Sequence, residues 1–241
     1  IQIKGIQAAD VLPDWTSKDV KTLLSRPIFE PGIYGAVRFH HRSVREYLTA
    51  EWLHKLIMNN ASRLRVENLF FRSQYDIEVV IPTMRPVLSW LAVMDTRILE
   101  RVRRVAPEVV FEGGDPSLLH KDVRIEILRQ VCAELVSDSG SRSLIDSTSA
   151  RRFARADLAD EINALLEQYR DHETVSWFLL MMVWQGEVAG CLAQAKSFAC
   201  ESRDKHTRLA AISALEALDA KLELEEVRNG FLEESPELDR S

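Results

Sequence analysis

Glycine and proline are both scarce, nine and eight in 241 residues, which disfavours architectures built from many short strands and tight turns. Helix is what remains favoured. Cysteine is rarer still: Cys132, Cys191 and Cys200 are odd in number and show no CxxC spacing. They read as reduced, buried thiols of a cytoplasmic protein, not as a disulfide framework or a zinc cluster. No apolar run reaches the roughly 18 residues that a membrane span needs, since the nearest, VSWFLLMMVW from Val175 to Trp184, is about half that length. That run reads as a buried helix, and no membrane association is expected. No signal-peptide pattern opens the chain, which begins at Ile1 and reads as a piece of a longer protein. Positive charge is not in excess either, and a formal charge of −6 argues against a general nucleic-acid surface while leaving room for a local basic patch.

What is present is apolar periodicity. With 46% hydrophobic residues the chain can bury a substantial core, as one domain or two. In TSKDVKTLLSRPIF, Thr16 or Ser17 can cap a helix carrying Val20, Leu23 and Leu24 until Pro27 stops it. EPGIYGAVRFHH follows, with turn residues Pro31, Gly32 and Gly35 among β-prone Ile33, Tyr34, Val37 and Phe39, which predicts a small hairpin or wing. From Ser43 the pattern is helical again: Val44, Tyr47, Leu48, Trp52 and Leu56 form a stripe, and Ser43 with Glu46 spells an S-x-x-E capping box. Helix, hairpin and helix together suggest a compact winged-helix-like unit over residues 1–60.

Beyond it everything reads as helices. Val87, Leu88, Leu91 and Met94 form one side of PTMRPVLSWLAVM; TRILERVRRVAPEVVF follows the turn at Asp95, and EGGDP makes the next break. In HKDVRIEILRQVCAELV a stripe runs through Val123, Ile127, Leu128, Val131, Cys132 and Leu135. Residues 61–136 are thus expected to be a helical connector, and the serine-rich SDSGSRSLIDSTS at 137–149 a flexible loop. Five helical blocks with short links follow over 150–241, which favours antiparallel pairs. DHETVSWFLL at Asp171 recurs as DKHTRLAAIS at Asp204, 33 residues on, and a two-helix repeat of that period predicts a HEAT-like α-solenoid, with an irregular helical bundle as the alternative.

Catalytic patterns are missing. His40 and His41 are adjacent, so on a strand they would point to opposite faces, and no HExxH or Cys/His quartet accompanies them. His54, His120, His172 and His206 are scattered singly, as solvated or capping histidines. There is no GxSxG and no GxxxxGK[ST] phosphate loop, and Gly113 with Gly114 reads as a turn. Glu46 and Glu51 lie about 140° apart on a helix, too far round to converge. Arg38, Arg42 and Arg45 surround the histidines and leave groove binding by a winged helix open, against the two glutamates and apolar stripe of the following helix. RVRR at Arg101 to Arg104 reads as a solvated face.

The order F-x-H-x-S-x-x-E-[YF]-L-x-A, here Phe39, His41, Ser43, Glu46, Tyr47, Leu48 and Ala50, resembles the end of the winged-helix domain of NACHT-type STAND NTPases, the class of the NOD-like receptors and many bacterial defence proteins. RPVLSWLAVMD…VAPEVVFEGGDPSLL…R is similar to the helical stretch that follows the NACHT core in large bacterial members, so the resemblance covers roughly residues 12–135. It implies that His41, not His40, reaches the β-phosphate of ADP bound in a neighbouring NTPase domain; packing or capping is the other role open to it. It implies that Phe39, Tyr47 and Leu48 are winged-helix core, and that the phosphate loop, the Mg-binding acid and the sensor arginines lie outside this chain. The expectation is a mainly α, non-catalytic regulatory portion with no cofactor of its own, ATP or ADP and Mg belonging to the full-length parent. Its helical repeats would take a protein partner or large ligand, its winged helix would meet the intramolecular NTPase domain, and oligomerisation would accompany activation. The rivals are a DNA-binding winged-helix regulator and a plain HEAT-like scaffold.

Overall fold

The computed structural model describes residues 8–33, 36–59, 63–137 and 147–234. Within them the chain is mainly α, with two small two-stranded antiparallel sheets near the N-terminus. A single turn, α1 (Ala8–Val11), precedes α2 (Ser17–Leu24). Thr16 caps α2 as expected: its Oγ1 accepts from the Asp19 N–H at 3.3 Å, and the Asp19 carboxylate accepts from the Thr16 N–H at 3.1 Å, a reciprocal box that satisfies otherwise orphaned amides. The expected hairpin is present too. β1 (Phe29–Pro31) pairs with β2 (Val37–Phe39) so that Phe29 faces Phe39, their rings 5.0 Å apart; Tyr34 and Gly35 lie outside the described residues. Helix α3 (Arg42–Met58) follows.

The unit does not bury a core of its own. No described side chain between residues 10 and 45 is buried, and Val11, Trp15, Ile28, Ile33 and Val37 are exposed. Even α3 is rotated from its expected stripe. Its buried face is Glu46, Ala50, Leu53 and Ile57, while Tyr47, Leu48 and Trp52 are exposed, Trp52 by 58%. The steps of four, three and four place those buried residues on one seam against α5, where the small Ala50 permits close approach.

Residues 61–136 are not all helix. After α4 (Arg63–Glu67), β3 (Phe71–Gln74) pairs with β4 (Ile77–Val80), Phe71 opposite Val80 and both buried. Tyr75 and Asp76 turn the chain with φ of +51° and +62°, the two-residue mirror-image turn that suits the twist of a hairpin. Asp95 alone joins α5 (Arg85–Met94) to α6 (Thr96–Val105), its carboxylate accepting from the Ile98 N–H at 3.0 Å. Arg63 donates two bonds of 2.9 Å to the same carboxylate. RVRR is not a solvated face: Arg101 holds Glu67 and Glu78 and lies 4.3 Å over the Phe71 ring, tying α4 and the hairpin to α6.

These pairs predict acid sensitivity. The Arg63 hydrogen bond holds the Asp95 carboxyl below the usual carboxylate range, and the Arg101 bond does the same for Glu78. A carboxyl depressed on folding stabilises above its unfolded value, near 4, and that stabilisation is lost as pH falls through the folded value. The contribution of these two pairs to the urea midpoint is therefore expected to be level from pH 7 to about 5 and to drop below about 4, and the Asp95→Asn variant should show a shallower drop there than the unaltered protein.

A 3₁₀ turn at Pro107–Phe111 leads through the EGGDP break to α7 (Lys121–Ser137), whose expected stripe is the observed one, with Ile127, Leu128, Val131 and Cys132 buried. Most of the serine-rich stretch, 138–146, lies outside the described residues. Its last three residues are not loop: Ser147 opens α8 (Ser147–Phe153), and Ser149, Ala150 and Phe153 are buried. Buried Arg124 of α7 explains why, since it donates to the Phe153 carbonyl at 2.8 Å and pairs with Asp157.

The remaining helices are α9 (Ala159–Gln168), α10 (Glu173–Gly186), α11 (Leu192–Glu201), α12 (Lys205–Ala217) and α13 (Lys221–Glu234). α10 packs on α12, and α11 packs on both α12 and α13. VSWFLLMMVW is the buried helix expected of it, with Val175, Phe178, Leu179, Met182 and Val183 buried. The two segments correspond, but one residue out of the predicted frame. His172 caps α10 and Asp204 caps α12, an offset of 32 from residue 172 to residue 204. Left-handed residues after the two helices, Glu187 and Asp219, keep the same offset, and Thr207, Ala210, Ala211 and Ala214 are buried where Val175, Phe178, Leu179 and Met182 are. Two of the thiols are buried as expected, and burial pushes Cys132 and Cys191 up to about 12; Cys200 is exposed instead.

Candidate functional site

β2 ends at Phe39 and α3 begins at Arg42, so His40 and His41 stand between strand and helix. The alternation of a strand therefore does not apply to them. Their rings meet edge-on, centroids 4.5 Å apart at 77°, instead of pointing to opposite faces. His40 Nδ1 lies 3.1 Å from one Glu30 oxygen, and Arg38 Nε donates to the other at 2.7 Å. Glu30 and Arg38 are cross-strand partners, and the His40 hydrogen bond, with Arg38 beside it, holds the Glu30 carboxyl below its ordinary range. His40 thus fastens the hairpin.

His41 occupies the N-cap of α3 with extended backbone, φ −107° and ψ 130°, and its exposed ring makes no cap bond to that helix. The expected Ser43–Glu46 box does not form. With the cap at His41, Ser43 falls inside the first turn, and Glu46 turns back to Arg42, whose Nε donates at 2.5 Å. An i,i+4 ion pair is an equally local partner and wins here. Of the motif residues, Ala50 and Glu46 are buried, Phe39 is half-buried against Phe29, and Tyr47 and Leu48, expected as core, are exposed. Arg38 and Arg42 are both matched by carboxylates, so α3 displays Tyr47, Leu48 and Trp52 more than free positive charge. Among the described residues no group of three or more His, Cys, Asp or Glu is placed to hold a metal ion. His172 is a cap, its Nδ1 accepting from the Val175 N–H at 3.4 Å, and His120 sits 3.3 Å from the Asp122 carboxylate.

Just beyond the histidines, Ser43, Val44, Glu46 and Tyr47 of α3 form one wall of a cleft of about 470 Å³. Trp90 of α5, the Glu112–Gly114 segment and the first turns of α8, with Arg152, complete it. Tyr47 meets Trp90 edge-on at 5.2 Å. Gly113 and Gly114 are more than a turn. A Cβ on Gly113 would lie 2.8 Å from Ser89 Oγ, and one on Gly114, where φ is +78°, 2.8 Å from the Ser89 carbonyl oxygen, so the loop lies flush on α5 only because both side chains are absent. Trp90 and Arg152 come from segments too far apart for any spacing signal to have joined them. No protein-family model, no curated protein and no solved structure matches the chain.

Proposed function

We propose that the chain is the non-catalytic regulatory and sensing portion of a NACHT-type STAND ATPase, its residues 1–60 serving as a winged-helix-like coupler and its later helix pairs as a HEAT-like sensor. The observation that carries this reading is the unburied apolar surface of the N-terminal unit: Trp15, Ile28, Ile33 and Val37 are exposed, and no described residue from 10 to 45 is buried. A surface of that kind is stable in water when another domain covers it. The resemblance names that domain as the NTPase, and His41, exposed and uncommitted to its own helix, is the group suited to touch a phosphate there. An imidazole N–H on a phosphate oxygen is a charge-assisted bond that breaks when the domains part. ATP or ADP with Mg belongs to the NTPase domain, and the chain regulates without chemistry of its own.

On the sensor side, a hollow of about 420 Å³ between the α9–α10 and α11–α12 turns, lined by Arg170, Asp171, Glu201 and Arg203 among others, offers polar contacts suited to a protein partner. Stacked helix pairs also support the rival of a plain scaffold. Two measurements separate them. The proposal requires a phosphate loop and an Mg-binding acid N-terminal to Ile1 in the same polypeptide, and their absence there would sink it. In that longer protein, His41→Ala is expected to release bound ADP at least about tenfold faster, the loss of one charge-assisted bond; unchanged ADP retention and basal activity would remove the coupling role.

A further inference from the structure

The cleft between α3, α5 and α8 has the chemistry of a small-molecule site. Two of its walls are aromatic, Tyr47 and Trp90, set edge-to-face at 80°, and Trp90 is only half-buried, so a flat ring can lie against them. Opposite in character is Arg152, whose contacts among the described residues both run through Nη1: 3.3 Å to the Gly114 carbonyl and 4.0 Å to Asp115. Nε and Nη2 keep their N–H donors, the pair of a guanidinium fork that a carboxylate accepts side by side. Two carboxylates also line the cleft, but each already faces an arginine, Glu46 facing Arg42 at 2.5 Å and Glu112 facing Arg85 at 2.9 and 2.8 Å, an arginine that Glu108 shares. Arg152, held only by the Gly114 carbonyl and the long Asp115 contact, is therefore the charged group at the cleft with the most donors unused. Its volume of about 470 Å³ is in the range of pockets that enclose a small organic ligand.

We propose that this cleft binds a small aromatic carboxylate, the ring against Tyr47 and Trp90 and the carboxylate on Arg152. Four chain segments meet there, so occupancy would clamp α3 and α8 to α5 and report a metabolite-sized ligand to the N-terminal unit. The site stands independently of the STAND reading: that resemblance expects Tyr47 as core, whereas its place here rests on its exposure and its contact with Trp90.

The test uses 2-naphthoate as probe and its neutral analogue 2-naphthalenemethanol, titrated into the whole chain and followed by the indole N–H resonance of Trp90, assigned with a Trp90→Phe variant. Naphthoate is expected to shift that resonance saturably, with the alcohol at least about tenfold weaker, as the loss of one charge-assisted pair implies. Arg152→Gln should bring naphthoate down to the affinity of the alcohol while leaving the alcohol unchanged. Because Arg152 is exposed at the cleft edge, that variant is expected to fold, and an unchanged urea midpoint checks it. Shifts confined to tryptophans other than Trp90, equal affinity for acid and alcohol, or naphthoate binding indifferent to Arg152→Gln would each overturn the site.

Discussion

Arg124→Met is expected to lower the unfolding free energy by about 3 kcal/mol, read as a fall in urea midpoint at constant slope. Arg124 is 4% exposed, yet it carries a full charge. It is tolerated because each of its three nitrogens is engaged: Nε reaches the Leu119 carbonyl at 3.3 Å, Nη1 the Phe153 carbonyl at 2.8 Å and Asp157 at 3.2 Å, and Nη2 the second Asp157 oxygen. Methionine fills similar space but donates nothing, so the Leu119 carbonyl loses its donor, at roughly 1–3 kcal/mol for a carbonyl left buried and unpaired, and the Phe153 carbonyl keeps only the Arg155 N–H at 3.1 Å. Asp157, at 40% side-chain exposure, regains water instead. Asp157→Asn is therefore expected to cost clearly less than Arg124→Met. Equal costs would locate the stabilisation in the ion pair and not in the capped carbonyls. The bond to Phe153 also closes the chain across residues 138–146, so the variant should loosen α8 first.

Gly186→Ala is expected to be about as damaging, and Gly230→Ala to be mildly stabilising. Both glycines lie in helices, at the end of α10 and within α13, where alanine is intrinsically better by roughly 0.5–1 kcal/mol. Space decides the sign. A Cβ on Gly186 would stand 2.0 Å from the Ala154 carbonyl oxygen and 2.8 Å from its Cβ, whereas one on Gly230 meets nothing within 4 Å. Backbone cannot swing aside as a side chain does, so α10 must move off the end of α8, an overpacking cost of about 3 kcal/mol. Thermal unfolding of the two variants side by side should give shifts of opposite direction; a gain or no change for Gly186→Ala would show that α8 yields freely.

The parts of this fold that were legible are those where one local rule acts alone. Thr16 and Asp19 spell a cap that forms, the stripe of α7 is the face it buries, and VSWFLLMMVW is too apolar to be anything but interior. Misreadings fall where two local rules compete. Ser43-x-x-Glu46 is a capping box by pattern, but Arg42 sits four residues before Glu46 and takes its carboxylate, moving the cap to a histidine. The recurrence is spelled in the sequence by its aspartates, yet of the two only Asp204 caps a helix; in the earlier copy the cap is His172, one residue after Asp171, and the frame slips by one. β3 and β4 went unseen because their turn is Tyr75-Asp76, without the Asn-Gly or Asp-Gly that announces φ above zero. The aromatic cleft was beyond any pattern, since its walls come from α3, α5 and α8 and only the fold brings them together.

The bare N-terminal unit has a kinetic meaning as well. Free energies of local opening rise with buried contact, so the amides of α2 and the first hairpin should exchange with solvent through small excursions, long before α7 or α10 opens. A partner that covers Trp15, Ile28 and Val37 would slow exchange there by its own occupancy, leaving the protection of the deep helices untouched. Residues 8–41 would thus act as a built-in gauge of docking, read one amide at a time.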